Sequence, residues 1–301
     1  MKQIAENIII ETEYTGVTLG AVIQPDRIIY IDAPLLPEHA RLWRNAATGR
    51  KKLPQQVILM DANHDRTIGS RYLECTIIAQ ERTHWIYQNR PVTFKPISQN
   101  SGCEWEKIRI QNGFRWIYPE LVFSQRLDLH QSELHIDLQY HSGPSAGSTW
   151  VEIPARNVIF VGDTVVSGQV PFLHTAQIVP WLKTLYELEN RYDEGCMIVG
   201  GRNGLIEKAD IHAMRAFLTK AQERLTDYAA VSETDERIDS LIPLLEIDSF
   251  FKIKKEQMGD MVERLSYGLH HYFRQNYMGI KEIVFGSNEP ESASQEAETE
   301  G

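Results

Sequence analysis

The sequence predicts an α/β fold with a C-terminal helical extension, and three observations predict it. Short apolar runs end in polar turns from which helices start, strand candidates fill the chain to about residue 204, and a helical block follows from about 207 to 282. With 301 residues, 42% of them hydrophobic and 24% charged, the chain is long enough to bury one large core and carry an appendage. No internal repeat of short period is evident.

The elements follow in order. Ile8–Glu11 is an apolar strand candidate, and residues 17–24 and 27–33 read as two strands around the Pro25-Asp26 turn, with a helix over 37–47. The buried run 57–60 feeds the polar turn Asp61-Ala62-Asn63 and a helix starting near Arg66. Residues 107–111 read as a further strand. In Leu134–Tyr140, Leu134, Ile136, Leu138 and Tyr140 alternate with His135, Asp137 and Gln139, which marks a half-buried strand with His135 facing solvent. Residues 148–154 and 158–161 read as two more strands. In the helical block Met258, Met261, Val262, Leu265, Leu269, Tyr272 and Phe273 recur at three- and four-residue intervals, a single helix face expected to dock on the main domain. His270 and His271 are adjacent on that helix, point in different directions, and are expected at the surface rather than on a metal.

Four short segments, in order, carry a family resemblance. Asp61-Ala-Asn63-His64-Asp65-Arg66 follows the apolar run 57–60; Gly143-Pro144-Ser145-Ala146-Gly147-Ser148 forms a glycine-rich turn; Asp163-Thr164 ends the strand-like run from Asn157; and Gly200-Gly201-Arg202-Asn203-Gly204 follows another apolar run. Together they resemble the landmarks of the metallo-β-lactamase superfamily over roughly residues 6 to 215. The resemblance implies a four-layer αβ/βα sandwich of two mixed sheets, with residues 17–33 as the opening hairpin and Asp32 as a structural aspartate at a strand end. It also implies a depleted metal site. Laid over the family pattern His-x-His-x-Asp-His, Asp61, Asn63 and Arg66 stand where histidines belong, Asp65 keeps the family residue, and His64 falls on an x position. Pro144 and Arg202 replace two later histidines, and Asp163 retains the bridging aspartate. The expected divisions are a metallo-β-lactamase-like domain over 1–215, a helical extension over 216–286 packed on it, and an acidic, disordered tail over 287–301.

The chemistry left by these substitutions has two readings. Asp61, Asn63, Asp65 and Asp163 offer only oxygen, a shell that suits a hard cation better than zinc, which takes nitrogen and sulfur. Arg66 and Arg202 would place permanent positive charge where the family holds its ions. One reading is a pseudoenzyme without metal or other cofactor, kept for ligand binding or assembly. In it Arg66 pairs with Asp163 or Asp65 and Arg202 with Asp61, or the arginines form a fork-shaped receptor for a small anionic ligand. The other is a hydrolase of small esters, lactones or phosphodiesters around a single divalent ion (Mn, Mg or Zn) held by Asp61, Asn63, Asp65 and Asp163. Asp65, His64 and His141 are the candidate acids and bases. His84 and His174 are further available bases. Gly143 to Gly147 fits the letters of a Gly-x-Ser-x-Gly elbow, but a strand follows Ser145 where that elbow needs a helix.

Composition narrows the setting. Cys75, Cys103 and Cys196 are odd in number and widely spaced, which suggests neither a disulfide framework nor a zinc ribbon, and Cys196 is expected in the core. The N-terminus has no signal-peptide pattern and no run is long enough to span a bilayer, so a soluble, cytoplasmic protein is expected. The net charge of -10 argues against nucleic acid as a partner. Half of it lies in 287–301, which holds five glutamates and no basic residue. A homo-oligomer is left open.

Overall fold

A computed structural model describes residues 1–49, 53–90, 93–94, 100–107, 114–115, 117–131, 133–193 and 195–280. The acidic tail 287–301 lies outside them. Two mixed sheets form the centre. The first contains β1 (Lys2–Ala5), β2 (Ile8–Glu11), β3 (Leu19–Ile23), β4 (Ile28–Ile31), β5 (Gln55–Leu59) and β6 (Thr76–Gln80), while β7 (Thr93–Phe94) and β8 (Phe114–Arg115) pair as a separate ribbon, and β9 (Leu121–Phe123) closes the first sheet beside β6. Its first four strands are antiparallel, and β4, β5, β6 and β9 run parallel. The second sheet runs β10 (Arg126–Gln131), β11 (Leu134–Tyr140), β12 (Thr149–Ile153), β13 (Val158–Gly162), β14 (Met197–Gly200) and β15 (Leu205–Ile206), with only β13 and β14 parallel.

Strand alternation divides the apolar side chains among three cores. Ile58 and Met60 point between the sheets with Ile8, Ile10 and Ile31, where they meet Ile136, Leu138, Val158 and Phe160 of the second sheet. Val57 and Leu59, from the other face of β5, pack under helix α1 (Pro37–Thr48) with Ala40 and Trp43. The short helix α2 (His64–Thr67) and α3 (Glu81–Asn89) lie on the same side, α3 through Tyr87. Ile159, Val161 and Ile198 point outward from the second sheet into the largest core, built with α4 (Ile178–Arg191), α5 (Lys208–Ala229), α6 (Ile242–Leu245), α7 (Ile247–Phe250) and α8 (Met258–Asn276). The sheets approach closely at Gly20, where a Cβ would stand 2.6 Å from the Phe160 ring.

The stripe on α8 docks as expected: Met261, Leu265, Leu269, Tyr272 and Phe273 are buried in the largest core. Val262 does not join it and is 38% exposed, because it lies beyond the edge of the packed face. The boundary at 215/216 falls inside α5, which is continuous from Lys208 to Ala229 and packs in the core shared by the second sheet and α4. The helix expected near Arg66 starts at His64. Lys107 ends a short 3-10 helix, Glu104–Lys107, instead of opening a strand, and 108–111 lie outside the described residues. On β11, Asp137 is buried rather than solvent-facing, paired with Arg126 at 3.0 Å. Cys75, Cys103 and Cys196 are free thiols. Cys196 is only partly buried, packed at the margin of the largest core. Among the described residues no helix is long and apolar enough to cross a membrane.

Candidate functional site

The parallel strand pairs β4–β5 and β13–β14 deliver their C-terminal ends to one place, the usual location of a ligand crevice in open α/β sheets. At the end of β4, Asp32 adopts φ 59° and its carboxylate accepts the Met60 amide at 2.9 Å, which fixes the exit of β5. Asp61, Asn63, Asp65 and Arg66 follow within the turn and α2. From the second sheet come Asp163, after Gly162 at φ 56°, and Arg202, after Gly201. Gly201 donates its amide to Gly162 O at 2.7 Å and accepts from Thr18 N at 2.8 Å. A Cβ on Gly201 would lie 2.7 Å from Asp163 Oδ1 and from both terminal nitrogens of Arg66, so glycine leaves room for the charged groups beside it.

Asp163 is shared by two arginines. Arg66 Nη2 donates to its Oδ1 at 2.5 Å and Arg202 Nε to its Oδ2 at 3.2 Å. Arg66 Nη1 and Nε stand 3.4 Å from Asp32 and 3.5 Å from Asp61; these two nitrogens make no hydrogen bond, so their attraction to the carboxylates is Coulombic. Asn63 Nδ2 bridges Asp61 at 3.0 Å and Asp163 at 3.3 Å, and Ser145 Oγ donates to Asp61 at 3.1 Å. On the other side Arg202 Nη1 donates to Gly16 O at 2.8 Å, Asp65 at 3.1 Å and Glu104 at 3.2 Å. Glu104 continues the chain to Arg264, whose Nη2 donates to it at 3.0 Å. The guanidinium carbons of Arg202 and Arg264 lie 4.7 and 4.0 Å from the centre of the Phe172 ring.

All three arginines are almost wholly buried. Burial works against the ionised form of Asp163, but Arg202 and Arg66 outweigh it and hold the carboxyl down to about 2. At Asp32 burial prevails over the more distant Arg66 and raises the carboxyl to about 7, and at Asp65 burial, opposed by Arg202, raises it to about 6. Burial raises Asp61 as well. Glu104 stays below its ordinary value despite burial because Arg264 and Arg202 both face it.

Thus Asp61, Asn63, Asp65, Arg66, Asp163 and Arg202 converge, with one correction to their pairing. Arg202 meets Asp65, Glu104 and Asp163 instead of Asp61, and Arg66 takes Asp61 and Asp32 along with Asp163. The reason is that Arg202 enters from β14 beside Gly16, whereas Asp61 closes against Asn63 and Ser145. His141 is elsewhere: it stacks on Trp150 at 3.6 Å and faces Glu187 at 3.7 Å, with burial lowering it to about 4. His64 is turned toward Trp105, 5.4 Å between ring centres, and burial holds it well below its ordinary value. His174 stands edge-on to Phe172, 5.8 Å between ring centres, with its imidazole lowered to about 3 by desolvation, and His84 lies at the edge of Tyr118. Ser145 is a hydrogen-bond donor to Asp61, and the strand β12, not a helix, follows it.

Sequence reasoning missed Glu104, Arg264 and Phe172. Arg264 had a signal: it falls three residues after Met261 and one before Leu265, on the buried face of α8. Beside Arg202 and Glu104 opens a cleft of about 780 Å³, whose walls include Gly16, Asn203, Lys252 and Lys254.

No protein-family model matches the sequence, and no curated protein does. Solved structures do. A metallo-β-lactamase from Pontibacter korlensis is 13% identical with a TM-score of 0.59, covering 72% of this chain and 97% of that one. The DIM-1 metallo-β-lactamase is 16% identical with a TM-score of 0.57, over 73% and 96%. A double mutant of the sec-alkyl sulfatase PisA1 is 11% identical with a TM-score of 0.64, over 89% of this chain and 49% of that one. The chain has the metallo-β-lactamase fold.

Two outcomes are expected. Asp163→Ala leaves Arg66 and Arg202 facing each other without their shared counter-ion and lowers unfolding free energy by about 3–5 kcal/mol in urea titrations. A loss within about 0.5 kcal/mol, typical of an inconsequential surface change, would show that the bridge is not structural. The second concerns pH. Asp32 ionises near 7 when folded against 3.8 in a free chain, so between these values the folded protein holds a proton that the unfolded chain has released. Its contribution is full below about 3.8 and lost as pH rises through about 7. Asp32→Asn, which keeps the shape of the protonated acid, therefore gains stability relative to the parent as pH rises across that window; a constant difference would refute the assignment.

Proposed function

We propose that the chain is a metal-free pseudoenzyme on the metallo-β-lactamase fold, kept for binding a small anionic ligand in the cleft beside Arg202. The observation that carries this reading is that both carboxylate oxygens of Asp163 are engaged by guanidinium groups. The residues present do not fit the family's ions. A dinuclear zinc centre draws on imidazole nitrogens, and the cluster supplies carboxylates, an amide and two arginines. A divalent ion set among Asp61, Asp65 and Asp163 would have two fixed cations within contact distance of its own ligands. Arginine does not release its proton at accessible pH, so this charge cannot be relieved by titration.

Support for an anionic ligand comes from the cleft. Glu104 is already matched by Arg202 and Arg264, and Lys252 and Lys254 have no ion-pair partner among the described residues; Glu13, Glu207 and Asp210 also line the cleft, so the anion is placed at the two lysines and not across the whole cleft. The alternative is a hydrolase of small esters, lactones or phosphodiesters around one divalent ion; what speaks for a hydrolase of some kind is that the solved structures sharing the fold are named as β-lactamases and an alkyl sulfatase.

Metal analysis by mass spectrometry, after growth with zinc, manganese, iron or magnesium and dialysis, separates the two. The expected result is no stoichiometric metal whose retention depends on Asp61 or Asp163. Metal that disappears in Asp61→Asn or Asp163→Asn would overturn the pseudoenzyme reading and call for an ester and phosphodiester screen with that ion. For the ligand, inorganic phosphate and small dicarboxylates are expected to raise Tm in a manner lost in the Lys252→Ala/Lys254→Ala double variant; equal shifts in both proteins would remove the cleft from consideration.

A further inference from the structure

A second group of chemically capable residues lies on the outer face of β10 and β11, sharing no residue with the arginine cluster. His130 and His135 are directly opposite each other across the antiparallel pair. Paired residues share a sheet face, and so do residues two apart on one strand, so Asp128 joins them. The opposite face of the same strands, Leu129, Leu134, Ile136 and Leu138, is buried between the sheets, which fixes the register that brings the three polar side chains together. The two imidazole rings stack at 4.6 Å with only 4° between their planes, and His135 Nε2 stands 2.8 Å from Asp128 Oδ1. One ligand atom from each of the three lies within 4.8 Å of the others.

We propose that Asp128, His130 and His135 bind a first-row divalent transition-metal ion of the zinc type. Two imidazoles and one carboxylate suit zinc, nickel or copper and are poorly suited to magnesium or calcium, which take oxygen. With metal–nitrogen bonds of about 2.0–2.1 Å, neighbouring donors of a tetrahedral ion stand about 3.4 Å apart. Asp128 and His130 are exposed and His135 is half-buried, so their side chains have room to rotate toward that spacing. Arg126 is the guanidinium that touches the group, and its charge is opposed by two carboxylates, Asp128 at 3.0 Å and Asp137 at 3.0 Å. Binding exchanges the His135–Asp128 hydrogen bond for two bonds to the ion, while Arg126 retains Asp137. Three protein ligands leave at least one coordination position open to water or to a donor from outside, at the edge strand of the second sheet.

The test is equilibrium dialysis of the untagged full-length protein against Zn²⁺ near neutral pH. The expected result is one ion per chain, with affinity reduced at least tenfold in His130→Ala and in His135→Ala, reduced in Asp128→Asn, and unchanged in His212→Ala. Failure of the parent protein to bind Zn²⁺, or binding that survives both histidine substitutions, overturns the site. A readout that needs no variant accompanies it: substoichiometric Ni²⁺ should broaden two histidine ring signals selectively, and uniform broadening of all ten histidines counts against the proposal.

Discussion

The bidentate sharing of Asp163 between Arg66 and Arg202 is the interaction on which this structure turns. Asp163 ends a strand of the second sheet, Arg66 follows a strand of the first, and Arg202 ends the neighbouring parallel strand of the second. Neither sheet alone brings the three together. Charges this deeply buried are tolerable only when each is opposed and hydrogen-bonded, so the two sheets must meet in a register that keeps all three groups within reach. Gly162 and Gly201 supply the backbone freedom and the space.

From that centre the ionic contacts run outward in two directions. Toward the first sheet, Arg66 faces Asp61 and Asp32, and Asp32 in turn holds the Met60 amide. Toward the C-terminal helices, Arg202 shares Glu104 with Arg264, which also donates to Gln169 at 2.6 Å and to the carbonyl of Gly102 at 2.8 Å. Helix α8 is thus tied to the centre by a polar chain as well as by its apolar face. Removing α8 would expose more than a greasy stripe: it would leave Glu104 with only one of its two arginines.

Much of this was legible because strands and turns write themselves locally. The apolar runs before Asp61, Asp163 and Gly200 end where the structure ends β5, β13 and β14, and Asp61, Asn63, Asp65, Arg66, Asp163 and Arg202 come together. Partner choice was not legible. Which carboxylate meets Arg202 depends on the side from which β14 approaches and on Gly16 and Glu104, far away in sequence and carrying no periodic signature. Glu104 sits in a 3-10 turn, where neither alternation nor helical spacing marks the buried side. Arg264 was readable in principle, but a charged residue within an apolar stripe is easily taken for one at its border. Val262 and Asp137 show the converse, since periodicity gives the direction of a side chain and not how far its neighbours extend.

The mutual dependence of these ion pairs has a bearing on how the cluster tolerates change. Each side chain in the cluster is matched by at least one other, and Asp163 is matched by two. Replacing either arginine with a neutral side chain would therefore leave a deficit of positive charge among the remaining carboxylates. Substitutions within such a cluster are thus interlocked: a change at one charged position is tolerated only alongside a compensating change at another.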